Sequence, residues 1–351
     1  MKTIINIDGG LGRVITAIPA LLKFGKNNPD DDWYVMIPGW DFMFWGIEEL
    51  QQRTFNPETK GMFENYYWDA DRVIAPEPYK LPAFYRNEIS LAEAFDELIN
   101  GTTDHSDLPD MTLGLTIDEL LNARSYINQA VQGIATGPDG KGGCNTGTCG
   151  TTKPVKNHKK VIVYQPFGST STHSELGIYD KSMRSINHMF ATKIAEALSK
   201  DYIVINMNGR DNFSSFAGVI NFAQDPDLRT WAGIIQEADY FIGCDSCGQH
   251  MANAVGTPAS VVVAGTHEVN ISYPEKFHII KNDAKYYPNP MRVSMMNSTL
   301  ADKLNEKRAI FSDDDMKDHI KEIIKRIEGG KKVTEAVTVK AKKEKDDKGF
   351  A

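Results

Sequence analysis

The chain has 351 residues, 41% hydrophobic and 25% charged, enough for two domains with cores of their own and a normal balance for a protein that folds in water. A formal charge of −8 argues against holding nucleic acid by bulk electrostatics, and no apolar run is long enough to suggest a membrane-spanning helix. A strand pattern begins at residue 3 with no signal-peptide pattern before it, so the expected location is cytoplasmic.

The four cysteines, Cys144, Cys149, Cys244 and Cys247, do not read as a disulfide framework in that setting. Cys244 and Cys247 form a C-x-x-C pair that would suit a metal or redox role, with a lowered thiol pKa at Cys247 near a helix start. Small buried side chains beside a turn are the preferred reading, so neither a metal nor a cofactor is expected.

Residues 3–7 form an apolar strand pattern, followed by Asp8-Gly9-Gly10-Leu11-Gly12 and a predicted helix over residues 13–24. Strand, glycine turn and helix open a nucleotide-binding α/β unit. The dinucleotide fingerprint is incomplete because Ile15 stands where a third glycine would fall, which disfavours a hydride-transfer enzyme. Gly10 and Gly12 would let backbone approach a ligand, and Arg13 at the helix start would meet a phosphate; the alternative is a tight turn with a solvated arginine.

Residues 33–37 read as a second strand, and Asp41 lies just beyond its end as a candidate carboxylate. From Asp41 to Tyr85 the chain is rich in aromatics (Trp40 just before it, then Phe42, Phe44, Trp45, Tyr66, Tyr67, Trp68, Tyr85). Most are expected in the core, a platform for a sugar or base being the alternative. Residues 72–75 suggest a strand closed by Pro76 and Pro78. Residues 88–99 and 116–131 suggest helices, the second with a capping box from Thr116 to Glu119. Between 133 and 160 the pattern stops, and Lys153, Lys156, Lys159 and Lys160 gather around His158, as in a linker or mobile loop.

A second α/β unit starts at residues 161–164 and runs into Gln165-Pro166-Phe167-Gly168-Ser169-Thr170, then a long loop and a helix over 184–198. Residues 202–206 (strand, followed by Gly209-Arg210-Asp211), 228–238 (helix), 240–243 (strand) and 259–264 (strand) keep the alternation of a parallel sheet covered on both faces. At its centre stands A-D-Y-F-I-G-C-D-S-C-G-Q-H-M-A-N-A-V-G-T-P, residues 238–258: a buried strand delivering polar groups into a helix. The helix start at Asp245 and Ser246 suits a phosphate, with His250 one turn in; a plain N-cap and a packed core histidine are the alternative.

The fold class expected is therefore α/β with two doubly wound, Rossmann-like halves: residues 1–150, residues 151–330, and a tail from 331 to 351. A helix opening at Asp313 closes the second half. The tail, with seven lysines against four acidic residues, is expected to be disordered.

Residues 228–258 resemble the inverting GT-B glycosyltransferases of the heptosyltransferase (ADP-heptose:lipopolysaccharide) family, whose pattern is a helix, a strand ending in G-N-D-[ST]-G-P-x-H, and a helix ending in G-T-P. Here Cys244 stands for the asparagine and Cys247-Gly248 for Gly-Pro, while the spacing from Asp245 to His250 is kept. G-R-V-I-T-A-I-P-A-L, residues 12–21, is similar to the family's G-D-x-x-x-x-x-P-A-L.

The resemblance implies a nucleotide-sugar donor held between two domains and inverting, metal-independent transfer of its sugar to an acceptor hydroxyl of a glycan or lipid-linked glycan. It places Asp245, Ser246, Gly248 and His250 at the donor diphosphate, with Gly168-Ser169 on the neighbouring turn. Arg184 becomes the basic residue before the next helix, and Asp211 an acidic ribose contact. Arg13 occupies the position of the family's catalytic aspartate, so Asp8 or Asp41 must accept the acceptor's proton, Asp8 being preferred. The competing readings are transfer onto hydroxymethylated DNA bases, as phage enzymes of this architecture do, and a nucleotide-sugar-binding module without catalysis.

Overall fold

The computed structural model describes residues 1–132, 159–174, 177–180, 182–207, 215–222, 224–283 and 309–329. The first sheet contains β1 (Lys2–Asn6), β2 (Asp32–Met36), β3 (Thr54–Phe55) and β4 (Arg72–Ile74), all parallel, in the order β3-β2-β1-β4. Ile4 and Ile5, on opposite faces of β1, are both fully buried, the mark of a strand covered on two sides.

After β1 come α1 (Leu11–Thr16) and α2 (Ile18–Asn27). The sequence suggested one helix over 13–24; the chain instead breaks it at Ala17, because Pro19 lies in the first turn of α2 and has no N–H to continue a helix. The first half continues with α3 (Glu48–Gln51), α4 (Pro82–Tyr85), α5 (Leu91–Asn100) and α6 (Ile117–Val131). The box at Thr116–Glu119 forms as expected. An equivalent Ser90–Glu93 box starts α5 at Leu91 rather than 88.

The second sheet is also parallel. It comprises β5 (Val161–Gln165), β8 (Ile203–Asn206), β9 (Tyr240–Cys244), β10 (Ala259–Val262) and β11 (His278–Ile280), in the order β11-β10-β9-β5-β8. Between β5 and β8, β6 (Ser171–Ser174) and β7 (Gly177–Asp180) form an antiparallel hairpin where the sequence suggested a loop. The helices are α7 (His188–Leu198), α8 (Leu228–Glu237), α9 (Cys247–Val255), α10 (Glu268–Ile271) and α11 (Asp313–Gly329). Helix α7 starts four residues later than expected, where the Asn187 side chain caps Met189 N.

The two halves are joined by packing. Helix α6 lies along α8, where a Cβ on Gly233 would stand 2.9 Å from the Cβ of Ala123, so glycine sets the approach. Buried Arg229 of α8 pairs with Glu119 and donates to the carbonyls of Met43 (3.2 Å) and Phe42 (3.3 Å). Burial works against the Glu119 carboxylate, but the Arg229 and Thr116 hydrogen bonds hold it below its ordinary range.

The aromatic segment departs from the expected core. Phe44 is fully buried, but Trp45 is 55% and Trp68 77% exposed. Tyr66 packs over Tyr34 and Phe55, with ring centroids 4.7 and 4.9 Å away. The wide turn Phe63–Tyr67 half-buries that ring and leaves Phe63 and Trp68 at the surface. Among the described residues no helix is long and apolar enough to cross a membrane.

Candidate functional site

Strand order locates the site. The chain passes from β5 out to β8 and then returns to β9 on the other side of β5, so the connections diverge at the C-terminal ends of β5 and β9. A crevice opens where neighbouring connections leave in opposite directions. Its walls are the turns after β5 (Gln165 to Ser169) and after β9 (Asp245 to Gly248). Ser246 Oγ and Ser185 Oγ would each lie 3.8 Å from a Cβ at Gly168, so three separate turns meet there.

Asp245 is buried and caps no helix. Its carboxylate accepts from Thr266 Oγ1 at 2.8 Å and from Gln249 Nε2 at 3.2 Å. Ser246 precedes α9 in extended conformation and also leaves the helix uncapped by its side chain. The cap comes from Gln165, whose Oε1 accepts the Gly248 N–H at 3.0 Å while Nε2 reaches Ser246 Oγ at 3.4 Å. A Cβ at Gly248 would run into Gln165 Oε1 and stand 2.7 Å from the Phe241 ring, so glycine is required for this arrangement.

The turn after β7 forms a second polar cluster. Asp180 Oδ2 accepts from Ser185 N (3.0 Å) and Oγ (2.6 Å), and Oδ1 accepts from Ser182 N and Thr170 Oγ1, both at 2.9 Å. Burial pushes this carboxyl up, yet the Ser182, Ser185 and Thr170 donors hold it below the ordinary range. Arg184 is anchored at the rim, donating from Nε to Ser182 Oγ (3.1 Å) and from Nη2 to Thr170 Oγ1 (3.3 Å). Ser169 is exposed on the adjoining turn.

In the first sheet β1 is flanked by β2 and β4, which places a second divergence at Asp8 and at Pro76–Glu77. Asp8 is 71% exposed and lies 2.8 Å from Arg13 Nη2. Arg13 is buried, donates to Pro76 O at 2.9 Å, approaches Glu77 at 3.4 Å, and is covered by the Tyr79 and Phe95 rings. Its guanidinium is thus committed inside the first half rather than projecting as a phosphate ligand. Half-buried Asp41 opens the short turn after β2, and Trp40 Nε1 bonds Gly9 O at 3.1 Å, so both candidate carboxylates lie on turns in contact with each other.

The glycines divide their roles. Gly9, at φ +97, takes the left-handed turn; Gly10 does not, and a Cβ there would meet open space. A Cβ at Gly12 would lie 2.7 Å from His250 Cδ2, so this glycine lets α1 pack onto α9. His250 is buried, with Nδ1 hydrogen-bonded to the Tyr273 hydroxyl at 2.7 Å. Burial brings its pKa down to about 4, so it stands neutral at pH 7 and offers a dipole rather than a cation. Burial likewise raises the Cys247 thiol, opposite to the lowering expected at a helix start.

Of the sequence candidates, the fold gathers Ser169, Arg184, Asp245, Ser246, Gly248 and His250 around the divergence of the second sheet and Asp8, Gly10, Gly12, Arg13 and Asp41 around that of the first sheet. Asp211, Cys144, Cys149 and the 331–351 tail lie outside the described residues. Among those described, no cluster of three or more His, Cys, Asp or Glu side chains could hold a metal. Sequence reasoning missed Gln165 as the cap of α9, Asp180 as the hub of its turn, and Tyr273 as the partner of His250. Only Gln165, at the end of a strand, carried a positional signal.

No family model matches the chain, and no curated protein matches it. Solved structures do. The ADP-heptose LPS heptosyltransferase II of E. coli aligns over 88% of this chain and 100% of its own, at 14% identity and TM-score 0.55. A glycosyl transferase family 9 protein of Veillonella parvula aligns over 87% and 96%, at 10% identity and TM-score 0.56. The iron-containing dodecameric glycosyltransferase TibC of enterotoxigenic E. coli aligns over 93% and 78%, at 10% identity and TM-score 0.54. The chain therefore has the fold of GT-B glycosyltransferases. Within that class its fold is heptosyltransferase-like.

Proposed function

We propose that the protein is a glycosyltransferase that moves a sugar from a nucleotide-sugar donor to an acceptor hydroxyl, with inversion and without a metal. The observation that carries this reading is the meeting of Gly168, Ser185 and Ser246 at the divergence of β5 and β9, beside the N-terminus of α9. Backbone N–H groups, the helix dipole and hydroxyls suit a diphosphate leaving group. Arg184 adds positive charge at the rim, and neutral His250 a dipole. Asp245, a buried carboxylate, is unsuited to touch phosphate; its role is to orient Thr266 and Gln249 and to accept hydroxyls of the donor sugar.

Across the cleft between the two halves, Asp8 is the base. Its exposed carboxylate removes the acceptor hydroxyl's proton as that oxygen attacks the anomeric carbon and the nucleoside diphosphate departs from the opposite face. Arg13, at the position of the family's aspartate, orients Asp8. The acceptor class is a glycan or lipid-linked glycan; hydroxymethylated DNA is the alternative acceptor, and donor binding without turnover the alternative outcome.

A thermal-shift screen of nucleoside diphosphates, nucleotide sugars and NAD tests the reading. A ligand at about 100 times its Kd adds about 2.7 kcal/mol of stability. Stabilisation by a nucleoside diphosphate that is lost in Ser246→Ala combined with Arg184→Ala is expected. Response to NAD alone, or to none of these ligands, overturns the proposal.

A further inference from the structure

The short turn after β2 carries an aromatic array that ends outside the core. Trp40, Phe42 and Trp45 follow one another with ring centroids 6.3 Å apart at each step. Trp40 and Phe42 are partly buried against the core, whereas Trp45 meets Phe42 at 71° and is 55% exposed. A lone apolar side chain at the surface is ordinary; an indole that the surrounding backbone holds in place there is informative.

The array starts at the proposed base. Trp40 Nε1 donates to the carbonyl of Gly9, the residue after Asp8, so the first ring is tied to the turn that carries the exposed Asp8 carboxylate. The far end is tied as well. Trp45 N–H donates to Phe42 O at 3.2 Å, and Gly46 N–H to Gln51 Oε1 at 3.1 Å. Gly46 has φ +82, and a Cβ there would run into Gly114 O, so this backbone packs directly on the segment before α6. From the second half, Arg229 holds the carbonyls of Phe42 and Met43. An indole on so constrained a turn meets a ligand at little entropic cost.

Charge narrows the occupant. Residues 36–52 include Asp41, Glu48 and Glu49 and no lysine or arginine. Asp8 adds an exposed carboxylate, and Arg13 beside it is buried in its own contacts. An anionic acceptor would meet like charge here. A neutral pyranose would not: its C–H face is apolar and can cover an indole, and its hydroxyls can donate to a carboxylate such as Asp41. We propose that Trp40 and Trp45 form the acceptor platform and select an uncharged oligosaccharide, an assignment that rests on the transferase reading and narrows it. Trp40 lies beside the unit whose hydroxyl gives its proton to Asp8, and Trp45 stacks on the next unit. Acidic or phosphorylated glycans and duplex DNA are disfavoured by the same carboxylates.

A printed array of neutral, acidic and phosphorylated oligosaccharides, with a hydroxymethylated DNA duplex alongside, tests this on the full chain. Retention on at least one neutral glycan is expected, unchanged between low and high salt. Trp45→Ala, a change at an exposed position, should weaken it about tenfold or more, and Trp45→Tyr should restore most of it. In turnover, Trp45→Ala should raise KM for that glycan more than it lowers kcat. Retention confined to acidic glycans or DNA, retention on no glycan, or retention undiminished in Trp45→Ala overturns the proposal. Stabilisation by nucleoside diphosphates is measured in parallel. Its loss in Trp45→Ala would overturn the assignment to the acceptor side. Its absence in the unaltered chain, with neutral glycans still retained, would sink the transferase reading and leave the sugar platform standing.

Discussion

The turn from Asp8 to Arg13 and the turn from Cys244 to His250 both leave the end of a central parallel strand and both enter a helix. In the first, the carboxylate is kept at the surface: Asp8 is exposed, while its partner Arg13 is buried among Glu77, Pro76 and two aromatic rings. In the second, charge is buried or suppressed: Asp245 is enclosed by neutral donors, and His250 is held uncharged. An exposed carboxylate can exchange a proton with an acceptor. A buried, hydrogen-bonded array instead presents fixed dipoles with little reorganisation. Under the proposed function, proton transfer would fall to the first turn and leaving-group binding to the second.

The sharpest way to break that division is to compare Asp8→Asn with Asp245→Asn. The first should lower turnover about 10²–10⁴-fold and leave nucleoside diphosphate affinity unchanged. The second should weaken donor binding by about tenfold or more, through a lost hydrogen bond to a charged group. Equal loss of binding in both variants, measured by calorimetry with the same nucleotide sugar, would erase the distinction.

Next comes the packing that holds the halves together. Arg229→Ala leaves Glu119 and several carbonyls without their buried partner, and should cost about 3–5 kcal/mol in urea unfolding. A loss below about 1 kcal/mol would show that this pair does not anchor the two halves.

A smaller effect comes from pH. His250 has a pKa of about 4 when folded against an ordinary 6.5, so the folded state binds fewer protons. Stability from this source is full above pH 6.5 and is lost as pH falls towards 4, by about 3 kcal/mol at most. His250→Gln should flatten that slope in melts between pH 7 and pH 4. His278, which burial also lowers to about 4, and His319, lowered by burial too, contribute to the residual slope. An unchanged slope would mean that His250 is not buried neutral.

The smallest effect probes the contact between the two turns. Gly12→Ala forces a methyl against the His250 ring and should destabilise by about 1–3 kcal/mol. Adding His250→Ala should recover part of that loss; additive costs in the double variant would place the strain elsewhere.

Much of the second turn was legible because its signal is local. An apolar strand, a polar tetrapeptide and a small-residue helix closed by Gly256 and Pro258 are contiguous in the chain, and Asp245, Ser246 and His250 could be named from them. The first turn was read less well. Arg13 looked like a phosphate ligand because the residues that hold it, Glu77 and Phe95, are distant in sequence. Asp180 carried no signal, since its importance comes from donors on Thr170, Ser182 and Ser185 folded around it by a hairpin whose turn chemistry is weak.

By itself the sequence determined the alternation of strands and helices, the capping box of Thr116, and the glycine turn after the first strand. Periodicity, caps and turn residues act over a few neighbouring positions. Tertiary structure alone decided which strands flank β1 and β5, and therefore where each cleft opens. It also decided that Gln165 rather than Ser246 caps α9, that Gly12 serves packing, and that His250 is neutral. Strand order and burial depend on residues brought together from across the chain. No local pattern encodes them.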